Sequence, residues 1–203
     1  MSICRSLVTL TAALLLGACA VNAPPIQHYQ LSDGAPPPPD GDSPVLSIDA
    51  VQLPDFLLRD ELLLRDSDYS LRYDPTRRWA EPLDLGVQRV IANRLESRLG
   101  TRRIARFPDV PRGTSADWHL VVQVEHFERQ GNEALISAEG RWLRPGDEQT
   151  AAVVTFRETR SLNGIHGDDL AAALSQLLWR FADALADELP EQSRTAGVAR
   201  SPL

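Results

Sequence analysis

The chain reads as one α+β domain, an antiparallel β-sheet with two amphipathic helices packed on one face. Two observations predict this. Three long segments between Asp117 and Leu162 alternate apolar and polar residues, with turn-forming residues between them. Two further segments, starting near Pro82 and near Asp168, repeat apolar residues at helical spacing. A sheet and two helices, each with one apolar face, bury those faces most simply as two layers around one core.

The N-terminus comes first. Met1 to Cys4 leads to a single basic residue, Arg5, then to an apolar stretch from Leu7 to Leu16 and the small pair Gly17-Ala18, which is the layout of a secretory signal over residues 1–18. The apolar stretch is about half the roughly twenty residues that a membrane-spanning helix needs. Leu16-Gly17-Ala18-Cys19 matches the lipobox of bacterial lipoproteins, in which the Cys thiol is alkylated with diacylglycerol before the preceding peptide bond is cut. An ordinary cleavage region that happens to contain Cys is the alternative. Acylated Cys19 would be the membrane anchor, and several chains at about 0.8 kcal/mol per buried CH₂ make it stable. Ala20 is not the Asp that commonly retains lipoproteins at the inner membrane, so outer-membrane sorting is expected. Residues 19–27 form a short tether. At no more than about 3.5 Å per residue it holds the domain within about 30 Å of the bilayer.

The domain is expected over residues 28–190. His28 to Leu31 reads as a brief strand, and the prolines of 36–39 as an extended, solvated stretch. Val45 to Leu53 alternates and reads as a strand stopped by Pro54. Glu61 to Arg65 and Tyr69 to Tyr73 form a hairpin around Asp66-Ser67-Asp68. Pro82 opens a helix with Leu83, Val87, Val90, Ile91, Leu95 and Leu99 on its apolar side and Gly100 as its stop. Gln88, Arg89, Asn93, Arg94 and Glu96 are expected on its solvated side. Arg102 to Phe107 has strand character. Then Asp117 to Arg129, Ala134 to Leu143 and Ala151 to Leu162 make an antiparallel meander, turning at Gly131-Asn132 and Pro145-Gly146-Asp147. In the last helix Asp168 or Asp169 caps a stripe of Leu170, Leu174, Leu177, Leu178, Phe181, Leu185 and Leu189, ended by Pro190. Residues 191–203 read as a disordered tail.

Composition narrows the function. All 21 basic residues are Arg, and the formal net charge is −7, about −8 once Arg5 leaves. That argues against nucleic acid as a partner. Cys4 departs with the signal and Cys19 is consumed by lipid, so the 185 residues from Cys19 onward must fold on their own core without a disulfide. The chain contains no GxSxG, P-loop, HExxH or dinucleotide fingerprint, and the reading is of a non-enzyme without cofactor. His28, His119, His126 and His166 are not paired at ligand spacing. His126, between Glu125 and Glu128, is read as part of a solvated strand edge and not as a metal ligand.

Two segments stand out. Phe56, Leu57 and Leu58 are consecutive apolar residues before Arg59, a pattern that fits either an internal plug or an exposed contact for a partner or lipid. Arg77-Arg78-Trp79-Ala80-Glu81-Pro82 places two cations, an indole and a carboxylate at a helix entrance. There Glu81 can meet the positive end of the dipole and Trp79 can staple the turn, a structural role, or the group can bind a partner. Phe56, Leu57, Leu58, Arg59, Arg78, Trp79 and Glu81 are therefore the candidate partner-binding residues.

The lipobox, Tyr29-x-Leu31, Leu53-Pro54-x-Phe56-Leu57-x-Arg59 with Leu62 to Arg65, and Arg78-Trp79-Ala80-Glu81-Pro82-Leu83, taken in order, resemble the ABC-type transport auxiliary lipoproteins of the PqiC/YmbA kind. Phe56 stands where that family often has Tyr. The resemblance implies a component of an MCE-type intermembrane transport system for phospholipid or related apolar molecules. The lipoprotein would dock a periplasm-spanning MCE protein at the outer membrane. Homo-oligomerisation is compatible with a ring-forming partner. Competing readings are a periplasmic carrier holding an apolar ligand inside its own fold, a lipoprotein activator of envelope synthesis, and a hydrolase whose Ser and His form no recognisable motif.

Overall fold

The computed structural model describes residues 24–34, 44–108, 116–146, 149–164 and 166–190. Cys19, the expected signal over 1–18, the proline run at 36–39, Asp147 and the tail at 191–203 lie outside them.

The meander is the body of the sheet. Strands β6 (Trp118–Gln130), β7 (Glu133–Leu143) and β8 (Thr150–Ser161) pair antiparallel in sequence, as their alternation predicts. The turns use Gly131 and Gly146 at positive φ, where other residues would be strained. Trp118, Leu120, Val122 and Val124 point into the core. A bulge between Val124 and His126 then shifts the phase by one, so that the next core residue is Phe127.

The second edge of β6 is shared. β2 (Leu46–Ile48) runs parallel to its first residues, Leu46 opposite Trp118, while β3 (Glu61–Ser67) pairs parallel near its end, Leu64 opposite Arg129. β3 continues antiparallel into β4 (Ser70–Trp79), β1 (Gln27–Tyr29) adds parallel to β4, and β5 (Ile104–Arg106) adds parallel to β2. The result is an eight-stranded mixed sheet, antiparallel over most of its length. The expected strand over Val45 to Leu53 shrinks to three residues, and its alternation does not hold. Ser47 is buried along with Leu46 and Ile48, because the strand has neighbours on both edges and cover on both sides.

Helices α1 (Leu83–Leu99) and α2 (Gly167–Asp187) carry the predicted stripes into one core with the sheet. Pro82 is the residue before the first turn of α1, and Gly100 closes it at φ 65°, donating its N–H to the Glu96 carbonyl. Gln88 corrects the sequence reading. It is buried, and its Nε2 donates to the Asp49 carbonyl at 3.1 Å, tying α1 to the segment after β2. Nor do Asp168 and Asp169 cap α2: His166 holds the cap position and the two acids lie inside the first turn, where they still face the positive dipole end.

The two helices run in the same direction. Arg94 makes a two-pronged contact with Asp183 at 2.8 and 2.7 Å, and Arg98 reaches Asp187 at 2.8 Å. Those arginines also offset two acids in the last turns of α2, the end where a helix favours cations. On the sheet, Gly140 lets α2 approach closely, since a Cβ there would overlap Leu185 Cδ2. Trp142, fully buried, donates Nε1–H to the Leu185 carbonyl at 3.0 Å. No helix among the described residues is long and apolar enough to cross a membrane.

Candidate functional site

Between β2 and β3 the chain leaves the sheet, and Phe56, Leu57, Leu58 and Arg59 lie on that excursion, while Arg78 and Trp79 end β4 and Glu81 follows it. Gln52 still bridges Gln123 of β6, then Pro54 leads into a single 3-10 turn at Asp55–Leu57. The three apolar residues divide. Leu57 is 3% exposed and packs in the core, Phe56 lies half-buried against it, and Leu58 is 56% exposed. So Leu57 is an internal plug while Leu58 is left in solvent, with the division falling between neighbouring residues.

The excursion is held from behind by β4. The Tyr73 hydroxyl donates to the Phe56 carbonyl at 3.2 Å, and the Arg59 guanidinium lies 4.6 Å above the Tyr73 ring. A cation over an exposed aromatic face contributes about 0.5–1 kcal/mol. Glu61, the first residue of β3, receives Arg59 at 4.0 Å from one side and Arg78 at 3.6 Å from the other. Leu58, Arg59 and Arg78 are thus gathered on one surface around Tyr73 and Glu61.

Trp79 and Glu81 do not join it. Trp79 is buried, its ring centroid 6.2 Å from that of Phe127. Glu81 accepts from Arg89 Nη2 at 2.6 Å, and the same guanidinium holds the Leu31 carbonyl at 2.9 Å and pairs with Asp33. Burial alone would lower the Arg89 pKa, but its hydrogen bond to Glu81 and the charge of Asp33 more than offset that and raise it. Arg89, expected on a solvated face, is a clamp. It fixes the chain after β1 across the start of α1, and Trp179 fastens the same strip to α2 through a 2.7 Å bond to the Ser32 carbonyl.

Sequence reasoning missed a second constellation. Glu128 is fully buried, not part of a solvated edge. Its Oε1 receives Arg65 Nε at 2.7 Å and lies 2.9 Å from His126 Nδ1, while Oε2 accepts the Phe127 backbone N–H at 2.7 Å. The reason lies in the shared edge of β6. Between Gln52 and β3 no strand pairs with it, and the carboxylate takes the place of a missing strand carbonyl. The signal was present in the sequence: an alternation ending at Val124 and resuming at Phe127 implies a bulge that turns His126 and Glu128, which share a face, away from the face carrying Val124. Beside it opens a recess of about 440 Å³ lined by Leu53, Pro54, Phe56, Arg65, Gln123 and His126 among others. No group of three or more His, Cys, Asp or Glu side chains among the described residues is arranged to hold a metal ion.

Comparison with known proteins places this arrangement in a family. Among curated protein sequences none matches the chain. Among solved structures, a protein from Xanthomonas campestris assigned to the family DUF330 superposes with a TM-score of 0.70 at 19% identity, over 84% of this chain and 99% of that one. An uncharacterized protein superposes with a TM-score of 0.67 at 21% identity, over 82% and 100%. Both likenesses are of fold. The PelC dodecamer from Paraburkholderia phytofirmans gives a TM-score of 0.47 at 12% identity, over 75% and 95%. The profile of the ABC-type transport auxiliary lipoprotein component family matches residues 29–186, from the last residue of β1 to the last turn of α2. The chain belongs to that family, and is an auxiliary lipoprotein component of an ABC-type transport system.

Proposed function

We propose that this lipoprotein docks a periplasm-spanning MCE-type protein at the outer membrane, and so serves an intermembrane transport system for phospholipid or related apolar molecules. Family membership and the envelope anchor supply the setting. The observation that supports docking is the surface around Glu61, where Leu58 is held out in solvent by a backbone whose neighbours are fixed in the core. An exposed leucine next to Arg59, whose guanidinium covers Tyr73 and shares Glu61 with Arg78, has the composition of a small protein-binding centre with a polar rim. The domain acts by binding and brings no chemistry of its own. A tether of about 30 Å keeps it at high local concentration beside a partner reaching the membrane, so a modest contact suffices.

The test separates fold from contact. Leu57→Asp places a charge in the core and unfolds the domain, whereas Leu58→Asp leaves thermal stability unchanged and removes the partner from protein gently extracted from its own membranes. Native mass spectrometry reads both the acyl mass on Cys19 and the complex. Retention of the MCE protein by the folded Leu58→Asp and Arg59→Glu variants would overturn the assignment of this surface. Acylated protein that carries stoichiometric lipid and no MCE protein would move the function to a carrier, with the recess beside Phe56 as its site.

A further inference from the structure

We infer that the turn of the β3–β4 hairpin rests on the bilayer, with the Tyr69 ring in the lipid headgroup layer, so that the domain stands on the membrane in one orientation. Three features converge on that turn. The first is Tyr69 itself, 99% exposed at the tip of the hairpin, where its ring does nothing for the fold. A tyrosine with an apolar ring and a polar hydroxyl has its preferred place at a water–lipid interface.

The second is the direction and length of the anchor. β1 runs parallel to β4, Gln27 opposite Arg77 and Tyr29 opposite Trp79, so the chain enters β1 from the side of the hairpin turn. Cys19 precedes Gln27 by eight residues, and Tyr69 precedes Arg77 by eight. The tether reaches at most about 28 Å at roughly 3.5 Å per residue, and the strand covers about 26 Å at roughly 3.3 Å per residue. An acylated Cys19 can therefore lie level with the turn and scarcely beyond it. With the turn on the membrane nearly the whole contour length of the tether is needed to reach it.

The third is charge. A recess of about 230 Å³ next to the turn is lined by Leu64, Arg65, Asp66, Arg72, Arg129 and Gly131, and with the buried Glu128 that pairs with Arg65 it sets three guanidiniums against two carboxylates. Arg72 stands about 10 Å above Tyr69 along the strand. That exceeds the roughly 5–8 Å of one headgroup layer, so with the Tyr69 ring in that layer the Arg72 guanidinium, held by Asp66, stands at its outer, aqueous edge. Asp66 is engaged with Arg72 at 3.1 Å, so Asp68 is the carboxylate of the turn that must stay in water.

The inference rests on acylation at Cys19, and it deepens the docking proposal, because Leu58, Arg59 and Arg78 sit at the other end of the same hairpin and would face away from the membrane. The mature chain has no cysteine besides Cys19, so a single spin label can be placed at will. The lipoprotein carrying Ser70→Cys or Leu58→Cys is extracted from its own membranes, labelled, and reconstituted into vesicles of phosphatidylethanolamine and phosphatidylglycerol. The expected result is a ratio of collisions with lipid-soluble oxygen to collisions with an aqueous nickel complex several-fold higher at position 70 than at 58, and returned to the aqueous value by Tyr69→Ser. Equal water access at 70 and 58 in acylated protein overturns the orientation, and a label at 70 that stays in lipid without Tyr69 overturns the role of the ring. Mass spectrometry of the same sample reports acylation. A free Cys19 thiol would remove the anchor itself, a failure separate from the other two.

Discussion

Glu128 has its carboxyl group out of water, met among the described residues by Arg65, by His126 and by one backbone N–H. Removing one partner of such a pair leaves the other buried and unbalanced, so Arg65→Ala is expected to destabilise the domain by about 3–5 kcal/mol in urea denaturation. Replacing both, as Arg65→Met with Glu128→Leu, should recover much of that loss while leaving the Phe127 N–H without its acceptor. Glu96 poses the opposite case. Burial raises its pKa, against the pull of Arg106 and Arg102. A carboxyl raised in the folded state costs stability wherever it is ionised in both states, and the cost disappears as pH falls through the raised value and below the ordinary one. Glu96→Gln should therefore melt higher than the parent at pH 7, and the two should converge below about pH 4, a comparison made by thermal scans across that range.

Among elements, the closest approach is that of α2 to β7. Gly140→Val would push Leu185 out of its place and separate the indole of Trp142 from its carbonyl, a loss of about 1–3 kcal/mol read by chemical denaturation. These long elements were legible because periodicity needs length to show: six positions of the predicted apolar stripe fall within α2, and eleven or more residues mark each strand of the meander. β2 and β5 were not legible as what they are. Three residues carry no period, and the parallel pairing of β2 is decided by Trp118 to Leu120, some seventy positions later in the chain, while β5 pairs only onto β2. Gln88 was misread for a different reason. It stands three residues before Ile91 and seven before Leu95, on the border of the apolar stripe, where a polar residue is solvated or bonded according to what lies across from it, and here that is the carbonyl of Asp49. The candidate surface was half legible. Consecutive apolar residues announced Phe56 to Leu58, but only the 3-10 turn decides that Leu57 enters the core and Leu58 does not.

For the molecule as a whole, the proposed orientation sets the membrane, the hairpin turn and the surface around Glu61 in one sequence of positions. Shortening the tether by four residues removes about 14 Å of reach. The folded domain should keep its melting temperature, while, on the proposed docking at the surface around Glu61, capture of the MCE protein from intact envelopes should fall. The shared edge of β6 bears on how such a domain comes into being. β6, β7 and β8 join neighbours through short turns, contacts that close quickly, whereas β1, β2 and β3 complete the sheet only by loops of some fifty to seventy residues, which close slowly. The meander with α2 should thus be the slow-exchanging unit in native-state hydrogen exchange, with β1 and β2 opening at lower free energy. A chain whose first strands must wait for its sixth stays open until most of its length is present, and the half that carries the lipid anchor is the half that folds last.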